Sequence, residues 1–530
     1  MQRRTFLKGM AIGTVACAMG EPMSDASSSS SNTILKLPRA RMEAVGIDPA
    51  SFSAFIDAVE QKVGGLHSIM LLRHGQVAAE AWWAPYAPSY PHMLYSLSKS
   101  FTSTAVGLAV AEGHLSVDDM VIDFFPNKRP STVSDNLAAM RVRHLLTMNT
   151  GHDKDATGAA RAQPDGDWVR GFLSLPVEHA PGSKFVYNSA ATYMLSAIVQ
   201  KRTGKTVLEY LTPRLFVPLG IEHAAWEKCP KGINTGGWGL SVKTEDSARF
   251  GQLYLQKGEW NGRQIVPETW IAAATSRQVP NGDPALPSDW SQGYGYQFWR
   301  CQHGAYRGDG AFGQYCVVMP EQDAVLAITS GVGDMQAVLN AVWEHLLPGM
   351  KPAPLATTPE NTSENKALSH KLAGLTIHTS QGMASSPMTE RISDKTFHFA
   401  PSEQNSRKLQ SLTLTFDNQK LGSEKHQHEN LCHMIFVDGH GEHRIVCGGK
   451  EWVKGDAPIE GDLIGLSTKI VARGGWTQPD TYTATLCFYE TPFIETITCT
   501  FNQDQVTVLR KKNVSFGPTE QPPLVGKLKS

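Results

Sequence analysis

The chain has 530 residues, 49 Lys and Arg against 50 Asp and Glu, 41% hydrophobic and 19% charged. Such a length exceeds one ordinary core and predicts two or three domains. Balanced charge, with no basic aromatic-laced stripe, argues against a nucleic-acid partner, and beyond the N-terminus no apolar run reaches the roughly eighteen residues of a membrane span.

In chain order, Met1-Gln2-Arg3-Arg4-Thr5-Phe6-Leu7-Lys8, followed by a mild apolar stretch to Gly20, resembles a bacterial twin-arginine export signal. Residues 1–20 are therefore expected to direct the chain to the periplasm. Thr14-Val15-Ala16-Cys17 also resembles, imperfectly, a lipoprotein signal with Cys17 carrying the lipid, so soluble and lipid-anchored forms both stand. Residues 21–46, with the Ser27–Ser31 run, read as a flexible leader. The other seven cysteines are dispersed, odd in number and match no zinc framework.

Ser68–Gly75 and Val77–Trp83 read as a hairpin hinged at His74-Gly75-Gln76. Next comes Ser96-Leu97-Ser98-Lys99, heading a stretch that is apolar almost all round and closed by Gly113. Such a helix belongs in a core, and Gly113 suits its C-terminus. Residues at i and i+3 share a helix face, so Ser96 and Lys99 can touch at its buried first turn. A serine hydroxyl needs a base to become a nucleophile. A helix N-terminus and desolvation both favour the neutral amine that Lys99 would need to be one.

Helical signals follow at Arg143–Thr147, Thr192–Gln200 and Thr244–Gln256. Strands are expected at Tyr294–Trp299, Gln314–Met319 and Ala324–Thr329, then a helix at 336–347. Strands from both chain ends enclosing helices predict an α+β body: an antiparallel sheet with a helical lobe. Pro348, Pro352, Pro354 and Pro359 punctuate a polar stretch, 348–365, read as a linker. Beyond it, alternations such as Leu412/Leu414/Phe416 and Ile497/Cys499/Phe501 predict a separate all-β barrel or sandwich over 366–530.

Two further constellations carry chemistry. Pro181-Gly182-Ser183-Lys184-Phe185-Val186-Tyr187-Asn188-Ser189 is a tight turn ahead of a helix. Arg307-Gly308-Asp309-Gly310-Ala311-Phe312-Gly313-Gln314-Tyr315 is a glycine-rich strand edge that another backbone or a ligand can approach closely. In this order, Ser-Leu-Ser-Lys, Pro-Gly-x-x-Phe-x-Tyr and a Gly-rich strand resemble the serine β-lactamase/penicillin-binding superfamily. The resemblance is to the branch with class C β-lactamases, D,D-carboxypeptidases, family VIII esterases and 6-aminohexanoate-dimer hydrolases. It covers 47–347, and the first 352 residues are expected to hold the whole site.

The resemblance implies a β-lactamase/D,D-peptidase-like sandwich and a serine hydrolase that cleaves a small ester or amide without cofactor or metal. Ser96 matches the acyl-forming nucleophile, Lys99 the base and Tyr187 the proton relay. The N–H of Ser96 and that of Ala311 or Phe312 match the oxyanion hole, with Asn188, Ser189, Asp309 and Gly310 near the substrate. The sequence departs from the family in two ways: Tyr187-Asn188-Ser189 replaces Tyr-x-Asn, and Gly308-Asp309-Gly310 stands near the place of Lys-Thr-Gly. Asp309 is expected to face the cleft as an anion, with Arg307 on the other face. A like charge at about 4 Å costs on the order of 1–4 kcal/mol, which disfavours anionic β-lactams.

The alternatives are a β-lactamase or D,D-carboxypeptidase proper and, outside enzymes, an inactive peptide or cell-wall binding protein. Keeping Ser96, Lys99 and Tyr187 together argues against the last. His426, His428, Cys432 and His433, with Asp438, His440 and His443, could suggest a metal site, but the reading favoured is polar histidines on exposed strands and loops.

Overall fold

The computed structural model describes residues 36–529 except 357, 380–381, 404, 406–407, 418–430, 440 and 458–468. Residues 1–20, read as an export signal, with Cys17, the Ser27–Ser31 run, His426, His428 and His440 lie outside the described residues. From Leu37 onward the chain is one compact unit.

β1 (Leu66–Arg73) and β2 (Gln76–Trp82) form the expected hairpin. Its two-residue turn uses His74 at φ 50° and Gly75 at φ 72°, the paired left-handed residues that match the twist of the flanking strands. The sheet continues through β3 (Trp299–Arg300), β4 (Tyr306–Gly310), β5 (Gln314–Met319) and β6 (Ala324–Ser330) in the order β2-β1-β6-β5-β4-β3, antiparallel throughout. β1 meets β6 with Ile69 opposite Ile328 and Leu71 opposite Leu326, so the two ends of the 47–347 segment meet inside the sheet. Of the expected 294–299 strand run only Trp299 joins it, followed by Arg300. Gln297, at φ 65°, breaks the extended run and turns its amide to Thr192 and to the carbonyls of Leu145 and Leu146.

Both sheet faces are covered, which is why β1, β5 and β6 are buried along their whole length rather than at alternate residues. Ile69, Leu71, Val317 and Leu326 pack with α1 (Pro49–Lys62). Met70, Leu72, Val318 and Val325 pack with α2 (Ser98–Ala111) and with α4 (Thr244–Leu255). α3 (Ser189–Thr203) lies against α2 inside the helical lobe. Gly251 lets α4 come close: a Cβ there would lie 2.5 Å from Val325 Cγ1 and 2.7 Å from Cys316 Sγ.

Ten antiparallel strands between Lys395 and Leu528 form a nearly closed barrel. The first-to-last seam is approached by a bridge between Gly448 and Arg473. Strand 494–502 turns Ile497, Cys499 and Phe501 into the barrel and leaves the intervening threonines half-buried, the period of a sheet with one packed face.

The segments read as leader and linker are laced to the sheet-and-helix body. Leu37, Met42 and Val45 are buried. Lys351 N donates to Gly46 O (2.7 Å) and Leu355 N to Glu43 O (2.8 Å). A helix at Pro359–Ala373 lays Leu368 on the α1 side of the core and Lys371 on Asp57, and Leu375 and Ile377 bracket Ala84 through backbone bonds.

Candidate active site

Ser96 stands in a 3-10 turn, Tyr95–Leu97, directly ahead of α2. The turn is held on both sides. The short strand His92–Met93 pairs with Leu240–Val242, Leu94 N donates to Leu240 O (2.9 Å), and Leu240 N donates to Ser98 Oγ (3.1 Å). Tyr95 adopts φ 47°, a left-handed conformation that a bulky residue keeps only where its surroundings fix it. The far end of α2 closes as a Schellman motif: Gly113, at φ 73°, donates to Val110 O and His114 to Ala109 O.

Lys99 is 1% exposed. Its Nζ donates to Ser96 Oγ (2.9 Å), Ser189 Oγ (3.0 Å) and Gly237 O (2.7 Å). Desolvation disfavours the ammonium more than Asp155 and Asp309 favour it, so the amine is held down to about 7. A buried amine that is substantially neutral near pH 7, against a serine hydroxyl, is the arrangement needed to take that proton. Gly237 was missed in the sequence. The only trace there is the Gly236-Gly237 pair, and a Cβ on Gly237 would sit 2.9 Å from Ser189 O.

Tyr187 is half-buried beneath the amine, with Lys99 Nζ 4.9 Å from its ring centroid. Trp299 stacks on it at 5.3 Å and Tyr294 meets it edge-on at 6.3 Å. Burial pushes its hydroxyl well up, Asp309 adds to this, and the Ser96 hydroxyl opposes it; a neutral phenol is thus kept available as a donor. Ser189, at the third position of the Tyr-x-Asn-like motif, meets Lys99. Asn188 is fully buried and does not line the cleft, contrary to expectation: its Oδ1 caps α3 through Ala190 N (3.1 Å) and also accepts from Ala156 N (3.2 Å).

β4 runs along the Ser96 turn at a separation only glycine allows. A Cβ on Gly310 would lie 2.0 Å from Leu94 O and 3.1 Å from Ser96 N, and one on Gly308 2.4 Å from Leu97 Cδ1. Gly310 and Ala311 line the cleft beside Ser96. Neither Ser96 N–H nor Ala311 N–H has a hydrogen-bond partner among the described residues; for Ser96 this follows from its place in a first turn. Phe312, at φ 66°, carries its ring away to Tyr95 and Phe493.

The expectation for Asp309 is corrected. Arg307 lies two residues away on one strand, hence on the same face. Its Nε donates to Asp309 Oδ2 (2.9 Å) and its Nη2 lies 2.8 Å from the same oxygen. The guanidinium, fully buried, also packs 4.4 Å from the Trp290 ring. Burial raises the Asp309 carboxyl and Arg307 pulls it back. The cleft therefore presents a compensated pair, not a lone anion.

The cleft has a volume of about 850 Å³. The barrel supplies part of its wall through Phe493, Lys512, Ser515, Phe516 and Gln521, so the first 352 residues do not hold the whole site. Nothing in the sequence linked these residues to Ser96, some 400 positions upstream. Among the described residues the histidines do not gather: Cys432 points into the barrel core, His433 pairs with Asp417 and His443 with Asp438 (both 3.0 Å).

An antiparallel sheet flanked by helices, with a cleft where a serine-lysine turn meets a glycine-rich strand, defines a β-lactamase-fold hydrolase. The chain belongs to the Beta-lactamase family, whose model matches residues 53–341. It is similar to the 6-aminohexanoate-dimer hydrolase of Paenarthrobacter ureafaciens, 27% identical over 287 residues, 50% of this chain and 73% of that protein. Esterase EstB of Burkholderia gladioli is 27% identical over 212 residues, 34% of this chain and 54% of its own. A penicillin-binding protein homologue from Pyrococcus abyssi, described as octameric, matches 90% of this chain and 99% of its own, at 16% identity and a TM-score of 0.46.

Proposed function

We propose that the chain is a serine hydrolase that cleaves an ester or amide through an acyl-enzyme on Ser96. The observation that carries this is the 2.9 Å contact between Ser96 Oγ and a buried Lys99 Nζ held near pKa 7. Lys99 takes the Ser96 proton as Oγ attacks the substrate carbonyl. The developing oxyanion is met by the N–H groups of Ser96 and Ala311. The carbonyl then reforms, and the leaving group departs with a proton passed from Lys99 through Tyr187. Water entering against the same pair hydrolyses the ester on Ser96, and the serine regains its proton. The two relatives named a hydrolase and an esterase support this class. Export to the periplasm, proposed on Arg3-Arg4 and the stretch after it, is tested by cell fractionation.

Intact-protein mass spectrometry after an alkyl p-nitrophenyl phosphonate tests the reading. One stoichiometric adduct is expected on Ser96, and none in Ser96→Ala, which should also lose turnover. Full activity in Ser96→Ala would end the proposal and favour the inactive binding scaffold or another nucleophile.

The Arg307–Asp309 pair keeps the β-lactamase or D,D-carboxypeptidase reading alive, because it removes the like-charge barrier to a substrate carboxylate. Comparing kcat/KM for nitrocefin and p-nitrophenyl butyrate separates the two. The ester is expected to be the better substrate, since Arg307, the guanidinium beside the reacting strand, is already engaged by Asp309. A strong preference for nitrocefin would promote the second reading.

A further inference from the structure

The segment joining the last two barrel strands, Gln505–Lys512 and Leu524–Leu528, is not a free loop. Its two arms zip together: Lys512 N donates to Thr519 O (2.7 Å) and Gln521 N to Arg510 O (3.0 Å). Its base is pinned to the catalytic sheet by Asn513, whose Nδ2 donates to Gly331 O (3.1 Å) and Pro492 O (2.9 Å), while Ile494 N donates to its Oδ1 (2.8 Å). Gly331 permits this docking, since a Cβ there would meet Pro492 O at 2.3 Å and Asn513 Nδ2 at 2.4 Å. Val514 is buried in the barrel core. Phe516 is thus carried at the tip of a braced hairpin.

That ring lies 5.5 Å from Tyr95, the residue before Ser96, and 4.8 Å from Phe312, the residue after Ala311. Phe493 completes the group, 6.4 Å from Tyr95 and 5.8 Å from Phe312. Phe516 is nevertheless 69% exposed and lines the cleft. An apolar ring held open to water on a rigid support is worth burying, and a substrate can bury it.

A second aromatic group, Tyr187 with Tyr294 and Trp299, has no ring contact with the first among the described residues. If Tyr187 serves the leaving group, that group lies on this second side, and the acyl part faces the barrel.

We propose that Phe516, with Phe493 and Tyr95, forms an acyl subsite supplied by the barrel, so that the substrates are esters or amides whose acyl part carries a flat apolar group such as an aryl ring. This rests on the Ser96 acyl-enzyme reading. The test uses the full chain and two esters with one leaving group, p-nitrophenyl acetate and p-nitrophenyl phenylacetate. Phe516→Ala should lower kcat/KM for the phenylacetate about tenfold and leave the acetate within about twofold. Val525→Ala, a change at another exposed apolar barrel residue, should alter neither. An unchanged ratio, or equal loss on both esters, overturns the subsite. Phosphonate labelling is read in parallel: failure to label Ser96 in the wild type overturns the hydrolase reading beneath it, whereas intact labelling with an unchanged ratio overturns the subsite alone.

Discussion

The sheet and the barrel both bury charge, but in different company. In the sheet, Arg307 and Asp309 lie at 0% and 6% exposure, one residue from Gly310 and within the field of the Lys99 amine. In the barrel, Arg510 and Glu495 make a similar contact at 2.7 Å, far from Ser96, in a small space shared with the Asp438–His443 pair and lined by aliphatic side chains such as Ile445, Leu486 and Ile497. A buried ion pair is weak evidence for stability, because apolar side chains of the same volume hold a core about as well. Beside Ser96 its value lies elsewhere. It keeps this part of the wall polar yet compensated, so that burial outweighs the pull of Asp155 and Asp309 on Lys99 and the amine titrates near neutrality.

Breaking that pair should give the largest structural effect. Arg307→Met leaves Asp309 buried without its partner and is expected to lower stability by about 3–5 kcal/mol, read by urea unfolding. The double change Arg307→Met/Asp309→Leu should recover most of it, because no buried charge is left alone. If the double variant is also fully active, the pair has no part in the cleft's electrostatics, and the contrast with the barrel disappears.

Next in size is the Lys99 amine. Lys99→Ala should lower kcat/KM at least about a hundredfold, the usual scale for a general base. In the wild type, only neutral Lys99 can accept the Ser96 proton. The rate should therefore fall about tenfold per unit as pH drops below about 7, the value to which burial brings this amine. A flat profile from pH 5 to 8 would show that another group takes the proton. The same depression predicts stability that rises with pH between about 7 and the ordinary lysine range, because there the unfolded chain holds the proton and the folded chain does not.

The Ser96–Lys99 pair was legible because three-residue spacing on a helix start fixes a face, and the apolar run after it fixes burial. Tyr187 was legible by its motif. The charge pattern was misread: positions 307 and 309 were assigned to opposite strand faces when a period of two puts them on one. The 294–299 run looked like a strand, but the hydrogen bonds of Gln297 outweighed its propensity. Least legible was the barrel's share of the cleft. Phe493 and Phe516 reach Tyr95 only through tertiary docking, for which no local pattern stands in the sequence.

The smallest expected effect lies at the junction of the two regions. His67 and His92 are both buried, with His67 Nδ1 3.0 Å from His92 Nε2. His92 Nδ1 lies 3.0 Å from Met93 O, a carbonyl that can only accept, so that nitrogen carries the proton. Its Nε2 is then the acceptor, and His67 donates from Nδ1. Tyr86 stacks on His67 at 3.8 Å and its hydroxyl donates to Thr491 O of the barrel side, while Met93 N donates to Glu490 O. One more proton would put a charge in this buried network, where the Met93 and Thr491 carbonyls offset only part of its desolvation. Burial lowers both imidazoles, His92 to about 4. A lowered histidine contributes stability that is present above the unfolded value of about 6.5 and is lost as pH falls from there toward 4. Between pH 6.5 and 5 the pair should cost on the order of 1–3 kcal/mol, loosening the barrel from the strand that leads into Ser96. Urea unfolding across that window should therefore show a steeper loss in the wild type than in His92→Gln, whose amide can still bridge His67 and the Met93 carbonyl. Equal slopes would place the acid sensitivity in carboxylates elsewhere and leave the junction indifferent to pH.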